Sequence, residues 1–94
     1  MSKCEDRLRA LGITLPVPTA PVANYVPFVR TGNQVHISGQ LSNDASGGIK
    51  GTVGVDVTLE QGVEAARLCA INLLAQMKAA AGDDLDNVVR VIKL

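Results

Sequence analysis

Aromatic side chains are almost missing from this sequence: Tyr25 and Phe28 are the only two, and there is no tryptophan. A platform that stacks the bases of a single strand on successive aromatic faces has no material here. Charge of one sign is missing too. Nine lysines and arginines balance nine aspartates and glutamates, so there is no basic excess to displace counterions from a duplex. Histidine occurs once, as His36, and the two cysteines, Cys4 and Cys69, stand far apart with no CxxC or Cys/His cluster. A tetrahedral site of nitrogen and sulfur ligands lacks its donors, and no metal is expected. No apolar run is long enough to span a bilayer, and Met1-Ser2-Lys3-Cys4-Glu5-Asp6-Arg7 is polar, without the apolar core of an export signal. Together with two free thiols, these absences predict a cytoplasmic protein with no nucleic-acid or membrane partner.

The sequence has 94 residues, 47% of them hydrophobic and 19% charged, which suits one domain with one modest core. Lys3 to Leu11 reads as a short helix that Gly12 ends, with Leu8 and Leu11 sharing a face. Such a helix is marginal alone and needs a body to dock on. Leu15-Pro16-Val17-Pro18-Thr19-Ala20-Pro21 follows as an extended strap, because three prolines in so short a stretch forbid helix. Residues 1–23 form this extension, and a domain is expected over 24–94.

Tyr25 to Arg30 is largely apolar, Thr31-Gly32-Asn33 has turn chemistry, and Gln34 to Leu41 alternates; together they predict a β-hairpin. Val35, Ile37, Gly39 and Leu41 share one face of the second strand. The other face, Gln34, His36, Ser38 and Gln40, is polar and uncharged, as suits a shared or ligand-facing surface. Pro27 marks a position whose amide the ladder does not need. Ser42 to Lys50 is a loop by composition. Gly51 to Val57 lacks the lysine and hydroxyl of a phosphate-binding loop and reads as an extended lead-in.

Thr58 and Gln61 make a capping box. The helix it opens runs to about Ala81, with Gly82 as its left-handed stop. Leu59, Gly62, Ala66, Cys69, Ala70, Leu73, Met77 and Ala80 form an apolar stripe, and Glu60, Glu64, Arg67 and Lys78 a solvated face. Within the stripe Cys69 reads as a small core residue rather than a reactive thiol. After Asp83 to Asn87 turns the chain, Val88 to Leu94 is expected as a strand, returned by the crossover parallel to an earlier one. Because the sequence stops within that run, a C-terminal part is expected to be missing.

Tyr25-Val26-Pro27-Phe28-Val29-Arg30-Thr31-Gly32-Asn33 followed by Val35-His36-Ile37-Ser38-Gly39-Gln40-Leu41 resembles the opening hairpin of the Rid (YjgF-like) family. Ala79-Ala80-Ala81-Gly82 with Leu85-Asp86-Asn87-Val88-Val89-Arg90 resembles its helix-to-strand passage, and the resemblance covers about Tyr25 to Leu94. It implies an α+β fold of the chorismate-mutase-like type, here a β-β-α-β half with one long helix on a small mixed sheet. Further implications are a homotrimer, a small pocket at each subunit boundary, and cofactor-free hydrolysis of reactive imines or enamines to a carbonyl compound and ammonia. By the same resemblance Tyr25, Ser38 and Gly39 line the substrate pocket: a hydroxyl, a polar wall, and backbone close to the ligand.

Two departures weigh on that implication. Val26-Pro27-Phe28 stands where the family has Ser-Gln-Ala, making the pocket mouth bulkier and more apolar. The carboxylate-binding arginine and a late glutamate belong to family segments beyond position 94, and neither Arg67 nor Arg90 matches that arginine's motif. The catalytic residues are therefore unassigned. A non-catalytic binding or oligomerisation module is the alternative reading, and endoribonuclease, an older label of the family, is disfavoured by neutral charge and a single histidine.

Overall fold

The computed structural model describes residues 2–18 and 23–94; the part of the strap over residues 19–22 and Met1 lie outside the described residues. The chain opens with helix α1 (Lys3–Ala10), then hairpin strands β1 (Phe28–Thr31) and β2 (Gln34–Ile37). A very short pair follows, β3 (Asn43–Asp44) and β4 (Gly47–Gly48), then helix α2 (Leu59–Ala80) and one 3₁₀ turn, Leu85–Asn87. This is an α+β arrangement in which α2 lies against β1, β2 and β3.

Each element begins or ends on a residue chosen for backbone chemistry. Ser2 caps α1 by accepting from Glu5 N–H. At its other end Gly12, at φ +75°, lets Gly12 N–H reach Arg9 O and Ile13 N–H reach Leu8 O, the paired bonds of a left-handed helix stop. The expected capping box on α2 is present: Thr58 Oγ1 accepts from Gln61 N–H, and Gln61 Oε1 accepts from Thr58 N–H. A cap of this kind contributes about 1 kcal/mol. Gly82, at φ +70°, terminates α2 as predicted.

The hairpin turns on Gly32-Asn33 alone, since Thr31 pairs with Gln34. Gly32 takes φ +58°, which suits the first central position of the tight turn that matches strand twist.

Several sequence expectations need correction, among them the loop expected over Ser42 to Lys50, which contains the β3–β4 pair. Val88 to Leu94 is extended but unpaired, with Val89 and Leu94 fully exposed. A strand exists only as paired backbone, and among the described residues no strand pairs with that segment. The sheet is accordingly not mixed: two separate antiparallel pairs, β1–β2 and β3–β4, take its place. Gly51 to Val57 is no extended lead-in but a compact turn, in which Thr52 O accepts from the amides of Val55, Asp56 and Val57. Finally, the buried face of α2 is Leu68, Ala75 and Gln76, while Leu59 stays 70% exposed and Ala66 and Ala70 are exposed. The stripe is rotated because a helix buries whichever face its neighbours cover, and here the cover comes from the short hairpins, the 51–57 turn and the 3₁₀ turn. Val53 lies so close to Gly62 that a Cβ there would come within 2.9 Å of it.

α1 has no buried residue and, at eight residues, falls short of the roughly 12–15 that make an isolated helix marginal in water. It is held instead by exchange of backbone and carboxylate bonds with the 3₁₀ turn. Asp86 accepts from Lys3 N–H at 2.7 Å and Cys4 N–H at 3.0 Å. In return Glu5 Oε1 accepts from Leu85 N–H at 3.4 Å and lies 3.8 Å from Lys78 Nζ. Lys78 is thus part of this junction rather than of the solvated face. The two amide bonds, Lys3 first and then Cys4, hold the Asp86 carboxyl below its ordinary value. A carboxyl depressed in the folded state contributes fully above its unfolded pKa, about 3.9, and that contribution is lost as pH falls through the lower folded value. Acidification is therefore expected to detach α1 before α2 melts. In an NMR titration the Lys3 and Cys4 amide resonances should follow Asp86. Asp86→Ala should abolish that response and leave α1 frayed at neutral pH; α1 amides as protected as in the parent would rule the clamp out.

Candidate functional site

Of the residues expected at the site, Ser38 and Gly39 lie where β1 and β2 open out, and Tyr25 lies on the lead-in to β1. Pro27 stands opposite Ser38 one step beyond the last ladder pair, Phe28 with Ile37. Its carbonyl accepts twice from Ser38, from N–H at 2.9 Å and from Oγ at 3.1 Å. Proline has no N–H to return, so Ser38 O lacks its ladder donor. Gln40 supplies one: its Nε2 donates to Ser38 O at 3.2 Å. The predicted dispensability of the amide at 27 is thus met by a specific substitute, and Ser38 and Gln40 are both half-buried by it.

Gly39 lies between them, exposed. Its φ is outside the left-handed region, and a Cβ built on it would meet nothing within 4 Å. Neither backbone conformation nor crowding within the chain requires glycine there. Tyr25 sits on the lead-in to β1, two residues before Pro27 and 43% exposed. Its amide donates to Ala23 O at 2.9 Å. Among the described residues no hydrogen bond joins its side chain to Ser38 or Gly39. The fold therefore fixes Ser38 just beyond β2, with Gly39 next to it, and leaves Tyr25 on an exposed bend before β1.

Other chemistry-bearing residues lie elsewhere. His36 pairs with Val29 in the ladder and is exposed. Cys69 is half-buried on α2, and the Cys4 thiol is pushed above its ordinary value, first by its hydrogen bond to the Asp86 carboxylate, so the reactive thiolate is disfavoured. Of the arginines after the strap, Arg30 donates to Gly32 O, Arg67 faces Glu64, and Arg90 lies in the exposed 88–94 segment. A depression of about 360 Å³ occurs at the junction of α1, α2 and the 3₁₀ turn, lined by Ser2, Glu5, Lys78, Asp83, Asp84 and Asp86. It contains none of the predicted site residues, and its acidic rim would repel a carboxylate.

One residue escaped the sequence reading. Asn72, in the middle of α2, directs its amide nitrogen at Leu41 O (2.8 Å), Asn43 O (2.9 Å) and Asn43 Oδ1 (3.1 Å). A lone asparagine inside a helix carries no periodic signal, so nothing in the pattern singled it out.

A family model described as "YjgF/chorismate mutase-like, putative endoribonuclease" matches residues 5–94. The chain belongs to this YjgF-like family. A relative from Trypanosoma cruzi, Protein TCP17, is 50% identical over 88 residues, which are 93% of this chain and 54% of that protein. Among solved structures, the protein Atu1372 of unknown function from Agrobacterium tumefaciens shares 48% identity at a TM-score of 0.81, over 94% of this chain and 54% of that one. A second, titled a "putative endoribonuclease" from Shewanella oneidensis MR-1, shares 38% identity at a TM-score of 0.77, over 83% and 52%. The chain thus spans about half the length of the YjgF-like proteins it matches.

Because Gly39 has open space before it and an ordinary backbone conformation, Gly39→Ala is expected to change folding stability by no more than about 0.5 kcal/mol. Equilibrium urea unfolding would measure this. A loss above about 2 kcal/mol would mean that the space before Gly39 is filled in solution.

Proposed function

We propose that this chain contributes one wall of the pocket of a YjgF-like hydrolase that converts reactive imines or enamines to a carbonyl compound and ammonia. The observation that carries the proposal is the Ser38-Gly39-Gln40 strand end. It is pinned on Pro27 and braced by Gln40, with unobstructed space before Gly39. Ser38 spends its hydroxyl proton on Pro27 O, so its oxygen lone pairs remain to accept from a substrate N–H or an attacking water. Gly39 lets a planar imine lie against backbone, and Tyr25 offers a second hydroxyl from the bend before β1. Water adds across C=N, nitrogen takes the proton, and the carbinolamine collapses to C=O with release of ammonia. No cofactor enters the balance.

In this reading residues 24–94 are the domain and 1–23 its strap. The pocket is completed by a neighbouring copy in a homotrimer, and the small-molecule substrate binds at the boundary. The exposed apolar residues Val63 on α2 and Val89, Ile92 and Leu94 beyond it support association. No helix among the described residues is long and apolar enough to cross a membrane, and a cytoplasmic setting agrees with the free thiols. Neutral charge and scarce aromatics weigh against ribonuclease action. A second reading, a binding module without turnover, is favoured by the engagements of Arg30 and Arg67 away from Ser38.

Ammonia release from a 2-imino acid generated in situ, measured against its spontaneous hydrolysis, separates the two. Acceleration that falls at least tenfold in Ser38→Ala supports the hydrolase. Binding of the 2-oxo acid product without acceleration supports the module. Native mass spectrometry should find three copies of the 9.8 kDa chain; a monomer would remove the shared pocket.

A further inference from the structure

Resting on the reading of Ser38-Gly39-Gln40 as a pocket wall, we infer that Asn72 is the positioning residue of that wall. The segment from Ser38 to Asn43 has no ladder of its own between β2 and β3. One end is fixed by Ser38 on the Pro27 carbonyl. The far end is tied to α2 through Asn72, whose single amide nitrogen reaches Leu41 O, Asn43 O and Asn43 Oδ1.

A primary amide has two protons, so three acceptors at 2.8–3.1 Å require one proton to be shared. They also dictate which side-chain atom is nitrogen: the reverse assignment would set an oxygen against three oxygens. Asn72 belongs to α2, the longest element and the one with the most buried side chains. Its bonds therefore tie the segment that links β2 to β3 to the longest helix. Ser42, between the two tethered carbonyls, closes the base of the β3–β4 pair through Ile49: its Oγ donates to Ile49 O at 2.7 Å, and Ile49 N–H donates to Ser42 O at 2.9 Å. The amide of Asn72 thus holds the hairpin base and the pocket wall as one piece. Without it the segment can pivot about Ser38, with a displacement that grows from Gly39 through Gln40 to Leu41.

The test uses the full chain with Asn72→Asp, isosteric but with a carboxylate facing three oxygens, and Asn72→Gln, which keeps the donor on a longer arm. In Asn72→Asp, hydrogen exchange of the Ile49 amide, which donates to Ser42 O, should quicken at least tenfold and the Gly39, Gln40 and Leu41 amide resonances should shift, while the β1–β2 ladder and α2 keep their protection. Asn72→Gln should recover part of the loss. For 2-imino acid hydrolysis, kcat should fall more than KM rises, since displaced wall groups serve the reaction geometry. Unchanged exchange in Asn72→Asp, or loss of protection throughout α2 in both variants, would overturn the positioning role. If the parent chain does not accelerate hydrolysis, the proposed activity falls while the exchange data still decide the role of Asn72.

Discussion

Backbone groups at the ends of short elements must find partners, and in this chain remote side chains provide them. β1 and β2 have four residues each, β3 and β4 two, and α1 eight. None is long enough to stand on its own hydrogen bonds. Asp86 serves the first turn of α1, Asn72 the carbonyls before β3, and Gln40 the carbonyl that Pro27 leaves unserved. Burial alone would not hold these pieces, since few side chains are fully buried and those cluster along α2 and its flanks.

The candidate site inherits its character from this arrangement. A proline at 27 would ordinarily mark the end of usable pairing. Its carbonyl instead takes two bonds from Ser38, so the strand end keeps as many bonds as a regular hydrogen-bonded pair. The result is a hydrogen-bonded polar strand end with open space at Gly39, on a molecule whose net charge is zero.

Local signals were legible in the amino-acid order. The capping box, both glycine stops and the Gly32-Asn33 turn each depend on residues within a few positions of one another, and each is found where the pattern puts it. Properties that depend on distant partners were not legible. Val88 to Leu94 has strand composition, yet pairing needs an edge that composition does not reveal. The apolar stripe on α2 is real as a pattern, but Leu68, Ala75 and Gln76 are what the neighbours cover. The clamp on α1 joins residues 83 and 82 positions apart, beyond any motif. Tyr25, Ser38 and Gly39 were singled out by resemblance to the YjgF-like family. Structure supplies the bonds that fix Ser38, and for Tyr25 it supplies the amide bond to Ala23 O on the bend before β1.

The union of residues 3 and 86 also bears on the order in which the molecule forms. Bringing two such distant points together in an unfolded chain costs about 4 kcal/mol of loop entropy plus a constant. That cost is too large for two amide bonds to meet early. Once the hairpins have settled on α2 and the 3₁₀ turn has closed behind it, most of the loop is already shortened, and α1 has only the strap left to close. Docking of α1 is therefore the last step of assembly and undocking the first step of its reversal, so the N-terminal extension keeps time with the rest of the fold without directing it.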